Sequence, residues 1–149
     1  MQTTWIVAAD SSRARIFEVH GQEDHLQEVY DFANPAGRAS TQQIENDRRS
    51  RFFATPEGSH GEGDTYQPRV EAIEHETDLF SKEVSDFLDQ AGMEHRYDKL
   101  CLIAYPKFLG MMRKNLSKAT QRLVEDEVAK DISWRDTRDI EDYVRNRLH

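Results

Sequence analysis

Five basic side chains and no acidic ones occupy residues 105–124 of a chain whose formal net charge is −8. They are Lys107, Arg113, Lys114, Lys118 and Arg122. A cationic surface of this kind holds phosphate groups through charge and counterion release, without recognising a base sequence. The three lysines would share one face if their helices were nearly continuous. The alternative is a solvated face that pairs with the acidic side of the helix predicted over residues 70–91.

A second basic segment, Asp-Arg-Arg-Ser-Arg-Phe-Phe, covers residues 47–53. Its candidate contact residues are Arg48, Arg49, Arg51, Phe52 and Phe53. Guanidinium groups match the geometry of phosphate, and a phenylalanine can stack on a nucleobase. The segment therefore predicts contact with nucleic acid. The alternative is that the two aromatic rings anchor the segment to the core while the arginines face water.

Residues 33–68 form a long predicted connection around that segment. It holds four of the seven glycines and three of the four prolines, and it lacks sustained hydrophobic periodicity. Structureless connections longer than about 12–15 residues are uncommon in compact domains, and those that occur are usually functional or disordered. We therefore expect the chain to contact its partner with this loop.

Glycine-rich residues 58–64 resemble a phosphate-binding loop only superficially. The segment Gly-Ser-His-Gly-Glu-Gly-Asp lacks the P-loop lysine and does not follow a predicted strand, so it matches neither the P-loop nor the dinucleotide fingerprint. We expect a flexible loop instead. Its candidate contact residues are His60, Gly61, Gly63 and Gln67.

Catalytic and metal motifs are weak. Asp10 with Glu71 or Glu74 could imitate the carboxylates of a two-metal nuclease. His75 with Glu71 and Asp78 could ligate a metal, but zinc needs three or four convergent ligands and the sequence has no HExxH or CxxC pair, so an exposed histidine paired with carboxylates is expected. No GxSxG elbow is present. We predict no catalytic residue, metal or cofactor, and keep a metal-dependent hydrolase as an alternative.

Composition narrows the class of protein. The 149 residues are 37% apolar and 32% charged, which predicts one domain over 1–149 with a real core. The net acidity argues against a general coat for nucleic acid or anionic membranes, but it permits a local basic patch. No 18-residue apolar run and no secretory signal occur, so we expect a cytoplasmic protein. The single cysteine, Cys101, is predicted to be a buried apolar residue.

Three short apolar or alternating segments precede the long loop, over residues 5–9, 14–19 and 26–32. Their close spacing predicts an antiparallel meander. After the loop the period becomes helical over residues 70–91, with Pro68 in the first turn and Gly92 as the residue after the helix.

The remaining elements alternate. A strand is predicted over residues 97–105, a helix from Pro106 to about Leu116, and a short helix capped by Ser117. An edge strand over residues 124–132 and a final helix capped by Asp136 follow. The predicted fold is α/β (α+β), a mixed sheet flanked by helices, in the order β-β-β-α-β-α-α-β-α.

The chain resembles a bacterial family described as protein required for attachment to host cells. The matching segments are WIVAADSSRARIF, NDRRSRFF with the Gly/His-rich stretch after it, and LCLIAYPKFLGMMRKNLSKATQRLV. That family is similar to the middle domain of archaeal and eukaryotic class-one peptide chain release factors. The resemblance implies a ribonuclease H-like fold and a tRNA, rRNA or ribosome partner.

One feature of those release factors is missing. They carry a Gly-Gly-Gln tripeptide in the loop before a long helix, whereas here Glu62 separates Gly61 from Gly63 and Gln67 lies four residues on. The resemblance therefore does not imply peptidyl-tRNA hydrolysis.

We accordingly expect a non-enzymatic cytoplasmic factor that binds tRNA, rRNA or the ribosome through the arginine-rich loop and the basic residues of 105–124. The alternative is a protein-interaction module that regulates attachment to host cells or surfaces, which the net acidity and the two loop phenylalanines favour.

Overall fold

A computed structural model describes residues 2–21, 25–35 and 60–148, and the side chains of 68–147 within the last range. Within these ranges, five strands form one mixed sheet in the order β3-β2-β1-β4-β5. The strands are β1 (Thr3–Ala9), β2 (Arg13–His20), β3 (Gln27–Ala33), β4 (Lys99–Ala104) and β5 (Val124–Ala129). The first three pair antiparallel, which confirms the meander, and β4 runs parallel to both β1 and β5.

The described helices are α1 (His60–Met93), α2 (Pro106–Asn115), α3 (Lys118–Leu123) and α4 (Thr137–Leu148). Their order with the strands is the predicted one, so the predicted fold class is confirmed. Both predicted N-caps are also confirmed. The Ser117 hydroxyl accepts a hydrogen bond from the Thr120 amide at 3.2 Å, and the Asp136 carboxylate accepts one from the Asp139 amide at 2.8 Å.

Strand alternation divides the core into two layers. One face of the sheet packs against α1 and α2, and the buried side chains of this layer include Trp5, Val7 and Ile16 of the sheet with Leu88 and Phe108 of the helices. The other face packs against α4, and the buried side chains of this layer include Ile6, Phe17 and Cys101 of the sheet with Ile140 and Val144 of the helix. The sheet therefore lies between helices on both sides, and Cys101 is buried as predicted. Burial raises the pKa of its thiol to about 12.

The start of α1 differs from the prediction. The predicted loop ended near residue 68, but the helix begins at His60 and contains Pro68 in its interior. Proline lacks an amide hydrogen and glycine costs about 1 kcal/mol relative to alanine in a helix, so these residues predicted a break. A helix that is already nucleated gains one hydrogen bond for each added residue, and α1 extends through both kinds of residue.

The end of α1 differs too. The helix continues through Gly92 to Met93, and the left-handed conformation is taken by His95, whose φ is 57°. Gly92 is instead a point of close packing. A Cβ at this position would lie 3.0 Å from the hydroxyl oxygen of Tyr97, a buried side chain that donates a hydrogen bond to the carbonyl of Leu88 at 2.6 Å.

Replacing Gly92 with alanine should lower the free energy of unfolding by about 1 kcal/mol, because the clash with a fixed Tyr97 outweighs the helix propensity gained. Gly110 in α2 is the matched control, since a Cβ there meets nothing within 4 Å. Gly110→Ala should raise the free energy of unfolding by roughly 0.5–1 kcal/mol. Urea denaturation measures both changes. Equal stabilisation by the two substitutions would contradict the packing argument.

Candidate functional site

The predicted basic residues of 105–124 lie on α2 and α3. Lys107, Arg113 and Lys114 belong to α2, and Lys118 and Arg122 belong to α3. The two helices are separated by Leu116 and Ser117, whose backbone is extended. The lysines therefore do not lie along one continuous helix, which was the condition for a shared face.

Two of these five cations are paired with carboxylates. Lys107 forms an ion pair with Glu74 of α1. The guanidinium of Arg113 lies 2.7 Å from the carboxylate of Glu127 on β5, and this hydrogen bond raises the pKa of Arg113. Pairing with the acidic side of α1, the predicted alternative, thus occurs at Lys107, whereas Arg113 turns to the edge of the sheet.

The other three cations, Lys114, Lys118 and Arg122, are exposed, and no hydrogen bond or ion pair joins them to another described residue. They follow one another at intervals of four residues, and we call them the free basic set. A nearby carboxylate, Asp78, has its pKa lowered by a hydrogen bond from Asn115 and by the charges of Lys82 and Lys114.

The acidic side of α1 also holds α3 in place. One carboxylate oxygen of Asp89 accepts hydrogen bonds from the Ser117 amide at 3.1 Å and from the Thr120 hydroxyl at 2.6 Å. Hydrogen bonds to an ionised acceptor such as a carboxylate are stronger than those between neutral groups. Asp89 is therefore occupied in positioning the start of α3 rather than in pairing with a lysine.

The other predicted contact residues fall in two groups. Arg48, Arg49, Arg51 and Phe52 lie outside the described residues. The backbone of His60, Gly61, Gly63 and Gln67 forms the first turns of α1, so these four residues are helical rather than part of a loop.

The carboxylate cluster of the hydrolase alternative does not form within the described ranges. No group of three or more His, Cys, Asp or Glu side chains there could hold a metal ion. Glu74 is paired with Lys107, and Asp10 belongs to a turn. One carboxylate oxygen of Asp10 accepts hydrogen bonds from the Ser12 amide, the Ser12 hydroxyl and the Arg13 amide at 2.8–2.9 Å.

The Asp10 turn borders a cleft that the sequence analysis did not predict. It has a volume of about 700 Å³ and lies where β1 and β3 end and β2 begins, beside the turn at residues 131–136. The described residues that line it are Asp10, Ser12, Arg13, Asp31, Ala33, Asn34, Pro35, Ser133 and Trp134. Binding pockets for small molecules commonly have volumes of about 300–1,000 Å³.

One wall of the cleft is a bidentate ion pair between neighbouring strands. The guanidinium of Arg13 donates to both carboxylate oxygens of Asp31, at 3.0 and 2.7 Å. The hydrogen bond from Arg13 lowers the pKa of Asp31, and the same contact raises the pKa of Arg13. Both side chains are more than two-fifths exposed, so solvent screens the pair and its contribution to stability is small.

In a second pair, two residues along the strand, the arginine is buried and the carboxylate is half-buried. Arg15 is only 5% exposed, and its guanidinium donates to the Glu28 carboxylate at 2.8 Å. The same group also donates to the carbonyls of Ser133 and Arg135 and to the Thr137 hydroxyl. Arg15 therefore ties β2 and β3 to the residues on either side of Trp134 and to the start of α4.

Trp134 itself is 69% exposed at the edge of the cleft. Its indole nitrogen donates to the carbonyl of Asp131 at 3.1 Å, and the Arg135 guanidinium lies 5.5 Å from its ring centroid. The turn closes with a hydrogen bond from the Arg135 amide to the Ile132 carbonyl at 3.1 Å. The structure thus fixes a large aromatic ring and leaves it in water.

The two arginines allow a matched test of burial. Arg15→Met should lower the free energy of unfolding by about 3–5 kcal/mol, because it leaves the Glu28 carboxylate and two carbonyls without their partner. Arg13→Met removes an ion pair of the same chemistry at an exposed position and should cost about 1 kcal/mol or less. If urea denaturation gave equal losses in the free energy of unfolding for the two variants, the burial of Arg15 would not be the source of its contribution to stability.

A mixed sheet between helices, with a basic set on two short helices and a polar cleft at the end of β1, defines an α/β protein with two candidate binding surfaces. The sequence model of the family described as protein required for attachment to host cells matches residues 5–144, and the chain belongs to this family. No curated protein matches the sequence. No described helix is long and apolar enough to cross a membrane.

Among solved structures, the chain is similar to the Aquifex aeolicus Ppx/GppA phosphatase, type II variant, with a TM-score of 0.35 and 11% sequence identity. The match covers 86% of this chain and 35% of the phosphatase, so the chain spans about a third of that protein's length. A likeness this distant carries no argument about function. The likeness to release factors stays a prediction.

Proposed function

We propose that this member of the host attachment family is a non-enzymatic factor that binds tRNA, rRNA or the ribosome. The observation that carries the proposal is the free basic set, Lys114, Lys118 and Arg122, which is exposed on α2 and α3 and forms no hydrogen bond or ion pair with a carboxylate among the described residues. Unpaired cations can contact phosphates without first giving up an internal ion pair.

The segregation of charge supports an anionic partner. The chain has a net charge of −8, yet residues 105–124 contain no acidic residue. Two of the basic side chains there are neutralised by Glu74 and Glu127, and the remaining three are concentrated on adjoining helices. Such a patch in an acidic chain favours binding at one defined place, because the acidic surface elsewhere repels the phosphate backbone.

The arginine-rich segment extends the proposed surface. Arg48, Arg49 and Arg51 would add phosphate contacts, and Phe52 would stack on an unpaired base. Their positions lie outside the described residues, so their part in the proposal rests on sequence chemistry and on the predicted likeness to release factors. The proposed factor lacks peptidyl-tRNA hydrolase activity, because the Gly-Gly-Gln tripeptide is missing from the segment around Gly61 and Gly63.

Sedimentation of the purified protein with ribosomes and bulk tRNA, at low and high salt, tests the proposal. Binding should fall steeply with salt, with a log–log slope of about −2 to −3 for three phosphate contacts and a steeper one if the arginine-rich segment participates. Absence of binding at low salt, or binding that is independent of salt, would reject an RNA-binding role.

Two double substitutions identify the surface, since each removes two positive charges. Lys114→Gln/Lys118→Gln should weaken RNA binding about tenfold or more, because both cations are available for phosphate. Lys107→Gln/Arg113→Gln is the matched control and should have a smaller effect, because each of these cations already has a carboxylate partner at the surface, Glu74 or Glu127. Equal weakening of RNA binding by the two double variants would show that affinity depends on net charge and not on the free basic set.

A second candidate function is a protein-interaction module that regulates attachment to host cells. The description of the family favours it, and so do large apolar side chains that the fold leaves exposed, Leu79, Met93, Tyr105 and Trp134. A defined protein partner, bound in the presence of nuclease and lost in a Leu79→Ser/Met93→Ser variant, would select this function over RNA binding.

A further inference from the structure

Trp134 is one of the large apolar side chains that the described fold leaves exposed, and among them it is the one that lines the cleft. Water contacts 69% of its surface, although burying an aromatic ring is among the larger gains that folding offers. The turn that carries it is nevertheless held by buried Arg15 through the carbonyls of Ser133 and Arg135, and the indole nitrogen is bonded to Asp131. A rigid, exposed ring at the edge of a cleft is preorganised to stack on a ligand.

Polar groups of mixed character face the same cleft. Of the two carboxylate oxygens of Asp10, only Oδ1 accepts hydrogen bonds from described residues, so Oδ2 is available to a ligand. The amide nitrogen of Asn34 donates to the Ser11 carbonyl at 3.1 Å, so its amide oxygen is an additional acceptor. Arg13 has further guanidinium donors beyond the two that it gives to Asp31.

The charges of the cleft narrow the class of ligand. Among the described residues, its lining contains two carboxylates, Asp10 and Asp31, and one guanidinium, that of Arg13. A phosphate or another anion would meet an unpaired carboxylate and an arginine that is already engaged, and like charges at close range are unfavourable. A neutral ligand with several hydroxyl groups meets no such penalty, since its hydroxyls can donate to Asp10 and Asn34 and accept from Arg13.

We propose that this cleft is a binding site for a neutral saccharide. The C–H face of a sugar ring stacks on the indole of Trp134, and its hydroxyls exchange hydrogen bonds with Asp10, Asn34 and Arg13. The volume of about 700 Å³ lies within the usual range for small-ligand pockets. Arg15 is a positioning residue of this site because it sets the place of Trp134 without lining the cleft. The proposal does not depend on RNA binding by the free basic set.

The indole N–H signals in a ¹⁵N-correlated NMR spectrum provide the test. The chain has two tryptophans, and Trp5 is a buried internal reference whose indole donates to Glu18 at 3.0 Å. The probes are methyl glycosides of glucose, galactose, mannose and N-acetylglucosamine, with lactose and maltose as disaccharides. At least one probe should shift the Trp134 signal saturably, with a Kd of about 1 mM or tighter, and leave the Trp5 signal in place.

A variant pair separates stacking from general exposure. Trp134→Ala should weaken binding of the active glycoside at least tenfold by titration calorimetry, whereas Leu79→Ala, which alters another exposed apolar side chain, should leave it unchanged. An unshifted Trp5 signal shows that each variant is folded. Arg15→Lys should weaken binding less than Trp134→Ala does. It should also broaden the Trp134 indole signal and leave the Trp5 signal sharp, whereas a general loss of stability would affect both signals.

Three results would overturn the proposal. The first is that none of the glycosides shifts the Trp134 signal. The second is that inorganic phosphate or adenosine monophosphate shifts it more strongly than any glycoside, which would make the site anionic. The third is an equal loss of glycoside binding in Trp134→Ala and Leu79→Ala.

Discussion

The buried guanidinium of Arg15 is the interaction on which the cleft side of the molecule depends. It joins Glu28 on β3, two carbonyls of the turn at residues 131–136, and Thr137 at the start of α4. Removing a charge from water is costly, and the cost is offset only when all of these partners are in place. The strand pair, the turn and α4 are thereby held in one arrangement, which also fixes the edge of the cleft at Trp134.

On the opposite face of the sheet, charge is used for a different purpose. The acidic side of α1 neutralises Lys107 through Glu74 and supports the start of α3 through Asp89. These contacts join α2 and α3 to α1 at the surface and leave Lys114, Lys118 and Arg122 without hydrogen-bond or ion-pair partners among the described residues. A strongly acidic chain can in this way have a small basic surface, because these carboxylates bind particular groups of α2 and α3 and do not neutralise the three remaining cations.

Hydrophobic periodicity was sufficient to predict the order of the elements, and local hydrogen-bonding chemistry predicted the caps at Ser117 and Asp136. The same rules placed both ends of α1 wrongly: the helix extends through Pro68 because an existing helix gains a hydrogen bond with each added residue, and it continues through Gly92, which packs closely against Tyr97. The cleft could not be predicted, since Asp10 and Trp134 are far apart in sequence and border one cleft only because the parallel strands β1 and β5 end at the same edge of the sheet. Arg15 lies in a strand of alternating polar and apolar residues, and nothing in the neighbouring sequence predicts that α4 and the turn before it bury its side chain.

The most direct measurement of the central claim is the ¹⁵N order parameter of the Trp134 indole N–H, in the native chain and in Arg15→Met, with Trp5 as the internal reference. The native value should be near that of a rigid backbone, about 0.85, and the value in Arg15→Met should fall below about 0.6 while that of Trp5 is unchanged. A Trp134 indole that is already mobile in the native chain, or that stays rigid without Arg15, would show that the buried guanidinium does not fix the edge of the cleft.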